Sequence, residues 1–380
     1  MKLSFLLWAP LTAQAATIDK RQFGGLGSLM SSAASLFTTN MKATKTVEGL
    51  SAMKRQGVKN VRLYHGPLKL LPAEEASKIK GLGKSDPNSN TFMLSLQGLP
   101  QNTWILRTNS TLQYEDGRFA TISNNVYNHH VQLIDVGKSA EQTVKCGKTE
   151  ASDIKSGTKI PGGYIGGSAA DGAPSLFTTP DGMFNSGYLL GTSSKVIVSA
   201  ELVNYGKETK EVYLVTELDY LPGDTPDMMD TAVGIMTVNQ CDSNMNPFLK
   251  APEGKKVWDM KSKDLTISQD GYLLSRRGHM HDGGTGMVLK VNEQVVCDSK
   301  AEYGNDGSFK NADGVDFKAL SGMKECNEPI AVKKGDNLKF EAYFDLEQHP
   351  ARKHAHGGGE AEEMALMGYV FAFKRPGTKI

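Results

Sequence analysis

Residues 195–218, KVIVSAELVNYGKETKEVYLVTEL, carry the strongest strand signal in the chain. Two runs rich in β-branched and aromatic residues, 195–205 and 211–218, lie on either side of a turn that begins at Gly206. Two such runs separated by a short glycine-containing turn are typical of paired antiparallel strands. The stretch therefore predicts two strands in a hairpin-like arrangement.

Shorter runs of the same kind recur on both sides of this stretch, and glycine is frequent between them, with 40 residues. The runs lie at 91–96, 104–107, 130–136, 232–238, 287–291, 337–344 and 365–373. Many short strands separated by turns predict an all-β chain of sandwich or barrel type. A Pro-Gly-Asp turn at 222–224 divides the runs into two groups. We therefore expect an N-terminal β-sandwich at 56–224 and a C-terminal one at 225–380.

The first residues have the pattern of a secretion signal. Lys2 precedes an apolar run at 3–11, and a small-x-small site, AQA, follows it. The apolar run is too short to span a bilayer. We expect residues 1–15 to be removed and the protein to be secreted.

The next segment, residues 16–55, is rich in small and polar residues. It includes dibasic pairs that end at Arg21 and Arg55, which are either cleavage points or surface charges. We expect this segment to be a pro-segment or a poorly ordered tail, with the mature N-terminus after one of the two arginines.

Four cysteines after a secretion signal predict disulfides. Cys297 with Cys326 is the favoured pair because these residues bracket one glycine-rich insertion, and this choice leaves Cys146 with Cys241. Asn109 begins the Asn-Ser-Thr glycosylation sequon, which is consistent with a surface position in a secreted protein.

The overall charge limits the class of partner. The chain has 43 basic and 42 acidic residues, scattered without long blocks of one sign. This balance argues against a nucleic-acid partner, which normally requires a basic surface. After the signal, the sequence has no apolar segment long enough for a transmembrane helix, so we expect no membrane partner.

His279 and His281 are the sharpest candidates for metal ligands. Residues i and i+2 of a strand point to the same face, so the two imidazoles can reach one metal. Gly283 and Gly284 end this strand in a turn and leave room at its edge. Imidazole suits copper, zinc, iron or nickel, and the alternative interpretation is two surface histidines. Methionine offers a soft thioether that favours copper, which makes Met364 a candidate third ligand.

The tandem pair His129-His130 is a second candidate. Adjacent residues of a regular strand point to opposite faces, so two ligands here would require a bulge, a strand end or a twist. The alternative is one buried and one exposed histidine. The other clustered histidines, His349, His354 and His356, are expected to be solvated, or to serve as accessory ligands.

These motifs, in this order, resemble two related groups of proteins. The octapeptide RGHMHDGG at 277–284 resembles the stress up-regulated nodulin-like proteins of plants and fungi. The order of the His-His, His-x-His and acidic-Met motifs resembles the copper type II ascorbate-dependent monooxygenases. That family includes peptidylglycine α-hydroxylating monooxygenase and dopamine β-monooxygenase. The similarity covers roughly residues 90–375.

The resemblance implies a fold and a set of roles. The fold is two tandem antiparallel, jelly-roll-like β-sandwiches with a cleft between them. The catalytic copper would be held by His279, His281 and Met364. The electron-transfer copper would be held by His129 and His130 together with a third histidine. Arg277 falls where the peptide-hydroxylating branch has an arginine that binds the substrate carboxylate.

The sequence departs from the family at two positions. Asn204 stands where the electron-transfer copper has its third histidine, and Tyr369 does not cleanly match the tyrosine expected after the catalytic methionine. We therefore expect one copper per chain, with two as the alternative. The expected activity is oxidation of a small carboxylate such as formate by O2, which yields hydrogen peroxide. The alternatives are a two-copper ascorbate-dependent monooxygenase and a secreted copper-binding protein without turnover.

Overall fold

Strands make up almost all of the regular structure. A computed structural model describes residues 39–79, 86, 88–147, 162–169, 173–242, 248–305, 309–310, 316–351 and 363–375. Within these ranges, the helical segments are one α-helical turn, α1 (Ala73–Ala76), and one 3-10 turn (Ile122–Asn124). No helix in the described residues is long and apolar enough to cross a membrane.

Each predicted run corresponds to a strand, and further strands lie between the runs. The strands are β1 (Thr39–Gly49), β2 (Lys59–Leu70), β3 (Asn90–Gln97), β4 (Thr103–Gln113), β5 (Val126–Asp135), β6 (Val144–Cys146), β7 (Gly163–Ser168), β8 (Ser175–Leu176), β9 (Ser186–Leu190), β10 (Val196–Asn204), β11 (Lys210–Pro222), β12 (Met229–Thr237), β13 (Phe248–Leu249), β14 (Val257–Lys261), β15 (Leu265–Ile267), β16 (Gly271–Met280), β17 (Gly284–Val291), β18 (Gln294–Tyr303), β19 (Phe309–Lys310), β20 (Asp316–Phe317), β21 (Leu320–Met323), β22 (Ile330–Val332), β23 (Asn337–Asp345) and β24 (Glu363–Phe373). The prediction of an all-β chain is confirmed.

Most strands belong to one long sheet. Its order is β22-β16-β24-β12-β9-β4-β11-β2-β1-β3-β10-β5-β7, with β13 paired to β24 and β8 paired to β4. A second sheet has the order β21-β18-β17-β23-β15-β6, with β14 paired to β23, and β19 pairs with β20. The division into two tandem sandwiches with a cleft stays a prediction.

The hairpin predicted for β10 and β11 is wrong. β10 pairs with β3 and β5, whereas β11 pairs with β2 and β4. Both strands are largely buried, so each needs a neighbour on both edges to satisfy its backbone groups. The alternation of residues predicts that a strand forms, but it does not identify the partner strand.

Two large groups of buried apolar side chains form the core. The first is built mainly from strands between β2 and β11, and the second from strands between β12 and β24. Strand β24 contributes to both groups, through Val370 and Ala372 to the first and through Met367 and Phe371 to the second. At the start of the same strand, Met364 is half-buried and is paired with Phe248 of β13.

The expectation of a poorly ordered tail up to residue 55 is corrected from Thr39 onward. β1 lies inside that segment and pairs with β2 in antiparallel register and with β3 in parallel register. The Lys54 amide donates to the carbonyl of Asp181, and the neighbouring Met53 side chain is buried. Cleavage after Arg55 would separate β1 from the rest of the chain. Arg21 lies outside the described residues, and the position of the mature N-terminus stays a prediction.

Both predicted disulfides are confirmed. Cys297 is bonded to Cys326, and Cys146 is bonded to Cys241. Asn109, by contrast, is half-buried in the middle of β4, opposite Glu217 of β11. The sequon therefore does not lie on a surface loop, and the attachment of a glycan there stays a prediction.

Candidate metal centres

His279 and His281 lie at the end of β16, on one face of the sheet. Residues 276, 278 and 280 are buried, whereas 277, 279 and 281 are half-buried, as the alternation of a strand requires. The ring centroids of the two histidines are 6.0 Å apart, with an angle of 81° between the ring planes. The structure thus brings the two imidazoles together on a partly accessible face.

The turn after His281 is fixed by its own hydrogen bonds. The Gly284 amide donates to the carbonyl of His281 at 3.1 Å, and the carboxylate of Asp282 accepts the Leu320 amide at 2.6 Å. Gly283 has a φ of 112°, which strongly favours glycine. These contacts hold His281 in place at the strand end.

The adjacent strand β24 presents Met364 at the same position. His279 is paired with Leu366 and Met280 with Ala365, so one further step of the register sets Met364 against His281. Residues opposite each other in an antiparallel pair share a face of the sheet, and Met364 is half-buried like the two histidines. The three candidate ligands of the first copper site therefore lie together on β16 and β24.

Arg277 shares this face, and the strand opposite it leaves space. It is paired with Gly368, where an added Cβ atom would meet only the Arg277 carbonyl oxygen, at 3.7 Å. The preceding Arg276 points into the core, where its Nη1 donates to the carbonyls of Leu273 and Glu328. Burial lowers the pKa of Arg276 to about 10. Of the two adjacent arginines, Arg276 is buried in the core, whereas Arg277 lies on the half-buried face of His279 and His281.

The next candidate, Tyr369, does not share this face. Its side chain is buried, and its hydroxyl forms a hydrogen bond of 2.8 Å with the Thr143 hydroxyl. Burial raises its pKa to about 12. Tyr369 is therefore a core residue, and this chain does not use it in the manner of the family's tyrosine.

The tandem pair His129-His130 lies at a β-bulge. In the register of β10 with β5, His130 is opposite Glu201 and Asn128 is opposite Leu202, so His129 is the extra residue. A bulge turns consecutive side chains away from their regular alternation. The Nδ1 atoms of the two rings are 3.0 Å apart. The bulge that two neighbouring ligands require is present.

Glu201 completes this cluster, and the sequence interpretation missed it. Its Oε2 lies 3.7 Å from Nδ1 of His129, and one possible ligand atom from each of His129, His130 and Glu201 lies within 4.8 Å of the others. The side chain of Glu201 is buried in β10. A signal was present in the sequence, because Glu201 is a charged residue between apolar residues of a buried strand, and such residues are almost always paired or bound to a metal.

Asn204 is not a substitute ligand. It is fully buried, and its amide nitrogen donates to the carbonyls of Leu70 and Glu208 at 3.1 and 2.8 Å. Its amide oxygen accepts the Gly206 amide at 2.9 Å. The side chain therefore organises the turn after β10, and the third side chain that could bind a metal beside His129 and His130 is Glu201, three residues earlier in the strand.

The two histidine pairs influence each other electrostatically. Burial lowers the pKa of His129 to about 4, with a smaller lowering by His130 that Glu201 opposes. Burial also lowers the pKa of His130. His281 contributes to the lowering at His129, and His279 contributes at His130. Neutral imidazole is the form that binds metals, so both rings of the tandem pair are in the required state at neutral pH.

Of the loop histidines, His349 is half-buried and packs against Tyr303. Its ring stacks on that of Tyr303 with centroids 3.6 Å apart. The Tyr303 hydroxyl accepts the Gly283 amide and donates to the Gly284 carbonyl. Burial raises the pKa of Tyr303 and lowers that of His349. His354 and His356 lie outside the described residues.

Comparison with known proteins adds a family relationship. Residues 224–355 match the family described as stress up-regulated Nod 19. The sequence-based resemblance to that family is therefore confirmed for this region, which contains His279 and His281. The resemblance to the peptidylglycine-hydroxylating superfamily stays a prediction.

Two fungal relatives match most of the chain. The probable copper-dependent oxygenase M1 of Phoma sp. (strain ATCC 20986 / MF5453) is 24% identical over 277 residues, which is 73% of this chain and 65% of the relative. The probable copper-dependent oxygenase clz3 of Cochliobolus lunatus is 24% identical over 276 residues, 71% of this chain and 78% of the relative. The chain thus matches just under two thirds of the first relative.

Solved structures give only a weak likeness. A peptide-N(4)-(N-acetyl-β-D-glucosaminyl) asparagine amidase is 10% identical, with a TM-score of 0.33 over 88% of this chain and 98% of that chain. PNGase F, a glycosylasparaginase from Flavobacterium meningosepticum, is 10% identical, with a TM-score of 0.34 over 87% and 96%. At these TM-scores the likeness carries no argument about fold or activity.

Proposed function

We propose that this protein is a secreted, copper-dependent oxidoreductase that uses O2, with its copper held by His279, His281 and Met364. The observation that carries the proposal is the register of β16 with β24, which pairs His279 with Leu366 and Met280 with Ala365 and so brings Met364 next to the strand end that carries His281. Both fungal relatives are named as probable copper-dependent oxygenases, which supports the choice of metal. The two disulfides support an oxidising compartment.

The donor set fits copper better than the other metals that imidazole binds. Two imidazoles and one thioether form a soft set, and a thioether ligand favours Cu(I) over Zn(II). Three protein donors leave further coordination positions for small molecules, as catalytic metal sites require. The face that carries these residues is half-buried, so O2 and a small substrate can reach it. Bound copper would supply the one-electron redox chemistry that O2 reduction requires.

Arg277 defines the proposed substrate class. Its guanidinium has the planar fork that matches a carboxylate, and its position on the face of His279 sets a bound carboxylate close to the metal ligands. Gly368 keeps the space opposite Arg277 open. We propose a small carboxylate as the substrate, and formate is the smallest that has a C–H bond.

The proposed reaction balances without another reagent. Formate, O2 and one proton from water together contain the atoms of CO2 and H2O2. The C–H bond breaks, two electrons pass from carbon to O2, and the hydrogen of the C–H bond and the proton from water end on the peroxide. Arg277 would bind both oxygens of the carboxylate. This contact would orient the C–H bond and would keep the small substrate from being displaced by water.

The first experiment tests the metal site. His281→Ala should lose tight copper binding, measured as copper per chain after dialysis against a weak chelator. Met364→Ala should weaken Cu(I) binding more than Cu(II) binding, because the thioether is the soft ligand. Met183→Leu, a change at an exposed methionine away from the site, is the matched control. Equal copper content in His281→Ala and the parent would rule out this site.

The second experiment tests the reaction. Copper-loaded protein, O2 and formate should give equal amounts of peroxide and CO2, and Arg277→Ala should raise KM for formate with a smaller effect on copper content. Gly368→Leu, which fills the space opposite Arg277, should raise KM as well, whereas Gly368→Ala should not. Arg118→Ala, at an exposed turn, is the control. Copper binding without turnover on any carboxylate or reductant would favour the binding-protein alternative.

A two-copper ascorbate-dependent monooxygenase is the second candidate. The observation that favours it is the metal-compatible cluster of His129, His130 and Glu201, which interacts electrostatically with the first site. Ascorbate-dependent hydroxylation with two bound coppers, and no peroxide without ascorbate, would establish this alternative in place of the oxidase.

A further inference from the structure

We propose that His129, His130 and Glu201 form a second metal site, distinct from the first, which binds a divalent ion such as Zn(II) or Cu(II) in preference to Cu(I). This inference concerns residues that the proposed oxidase reaction does not use. It replaces the three-histidine site implied by the sequence resemblance with a site of two histidines and one carboxylate.

The distances between the donor atoms suit a single small ion. Ligand atoms at about 2.0–2.2 Å from one metal, with angles of about 90–120° at the metal, are about 2.8–3.8 Å apart. Nδ1 of His129 is 3.0 Å from Nδ1 of His130 and 3.7 Å from Oε2 of Glu201. Both separations fall in that interval, so an ion can enter with small side-chain adjustments.

The backbone makes this arrangement a built site. The bulge at His129 turns two consecutive imidazoles toward one another, and the pairing of His130 with Glu201 across β5 and β10 sets the carboxylate beside them. Regular strands would send the two rings to opposite faces. All three side chains thus lie on strands in the interior of the long sheet. His129 and His130 are at the β-bulge of β5.

Contacts behind the carboxylate hold it in place. Oε2 of Glu201 accepts the backbone amide of Asp86 at 3.2 Å and the hydroxyl of Ser89 at 3.5 Å. Groups that orient a ligand in this way are a regular feature of metal sites. Because Glu201 is only 4% exposed, its approach to the histidines is set by the fold and not by solvent.

The carboxylate determines which ion the site selects. Carboxylate oxygen is a hard donor, whereas Cu(I) prefers thiolate and thioether donors. Two imidazoles and one carboxylate suit Zn(II), Cu(II) and Fe(II), and by the general order of divalent affinities Cu(II) and Zn(II) bind more tightly than Fe(II). The first site, with its thioether, has the opposite preference. The first site should therefore prefer Cu(I), and the second site should prefer Cu(II).

The experiment uses the full chain with each site removed in turn. His281→Ala removes the first site, and the metal-free variant is titrated with Zn(II), with Cu(II) and, under anaerobic conditions, with Cu(I) against a chromophoric chelator. We expect one tight equivalent of each divalent ion and a Cu(I) affinity at least about 100-fold weaker than in the parent. Adding Glu201→Gln should weaken Zn(II) binding about 100-fold or more.

The controls separate ligation from folding. Glu211→Gln, at an exposed glutamate of β11, which does not pair with β5 or β10, should leave Zn(II) binding in the His281→Ala background unchanged. Circular dichroism and the Tm of the metal-free variants check the fold, and His130→Gln provides a second test if Glu201→Gln does not fold. The Cu(II) EPR spectrum should change with Glu201→Gln, because one oxygen donor is replaced.

Three results would overturn the inference. One is a His281→Ala variant that binds no divalent ion. Another is unchanged Zn(II) affinity in folded Glu201→Gln or, where that variant does not fold, in His130→Gln. The third is tight Cu(I) binding in His281→Ala that Zn(II) cannot displace and that Glu201→Gln leaves unchanged. None of these depends on turnover, so the oxidase proposal can fail while this site stands, and the reverse also holds.

Discussion

Asn204 has different roles in the sequence resemblance and in the structure. In the family that the sequence resembles, this position is a metal-binding histidine, so Asn204→His would be expected to restore a metal site. In the structure, Asn204 is fully buried and binds the backbone of the turn after β10. We predict that Asn204→His adds no metal and destabilises the protein.

The magnitude follows from the hydrogen bonds that are lost. The amide of Asn204 serves three backbone groups, those of Leu70, Glu208 and Gly206. At about 1 kcal/mol for each bond, loss of all three in Asn204→Ala should lower the free energy of unfolding by about 3 kcal/mol. Asn204→His should lower the free energy of unfolding by a similar amount. An imidazole cannot donate two hydrogen bonds from one nitrogen, and its larger ring must fit a fully buried position.

The assay is urea denaturation of the metal-free protein, followed by copper and zinc analysis of each folded variant. Asn204→Asp keeps the acceptor toward Gly206 and should be intermediate in stability. Asn40→His, on the exposed face of β1, controls for the addition of a histidine. The reasoning is refuted by an Asn204→His variant with the parent's unfolding midpoint and one additional tightly bound metal ion.

Three further predictions concern stability. Replacing Cys297 and Cys326 together by serine opens a loop with a sequence separation of 29 residues and should lower the free energy of unfolding by about 3–4 kcal/mol; an unchanged urea midpoint would contradict this. The metal-free protein should lose stability as the pH falls from about 6.5 to about 4, because unfolded His129 takes up its proton near pH 6.5, whereas the folded pKa is about 4. His129→Gln should flatten that part of a pH series of unfolding midpoints, and an identical slope would count against it. Gly234→Ala should destabilise the protein strongly, because the added Cβ atom would lie 2.0 Å from the Tyr369 ring. Gly368→Ala should be tolerated, because the added Cβ atom has space. Equal Tm values for the two variants would show the reasoning to be wrong.

The sequence was sufficient to locate strands but not their partners. Runs such as 337–344 and 365–373 correspond to β23 and β24 because alternation and composition are local properties. The pairing of β10 with β3 and β5 depends on contacts between residues more than 60 positions apart, which periodicity does not encode. The predicted hairpin failed for this reason.

The proximity of His279 to His281 was easier to predict than the cluster of His129, His130 and Glu201, for a similar reason. His279 and His281 use the regular alternation of one strand, so their shared face can be derived from spacing alone. The approach of His129 to His130 depends on a bulge, and Glu201 reaches them only through a cross-strand pairing. A buried charge in an apolar strand was the available signal, but it indicates that a partner exists without identifying that partner.

These two ways of building a site have different consequences for redox chemistry. On the assignments proposed above, the site on β16 and β24 offers a thioether, which stabilises Cu(I), whereas the site at the bulge offers a carboxylate, which stabilises a divalent ion. An electron-transfer centre must accept and release an electron at little cost, and a hard carboxylate donor makes reduction of Cu(II) less favourable. If the bulge site holds Zn(II), it cannot take part in electron transfer at all, because zinc has no redox chemistry in proteins. The chain would then be left with one redox-active copper, and a two-electron donor such as formate would have to deliver both electrons at that single site.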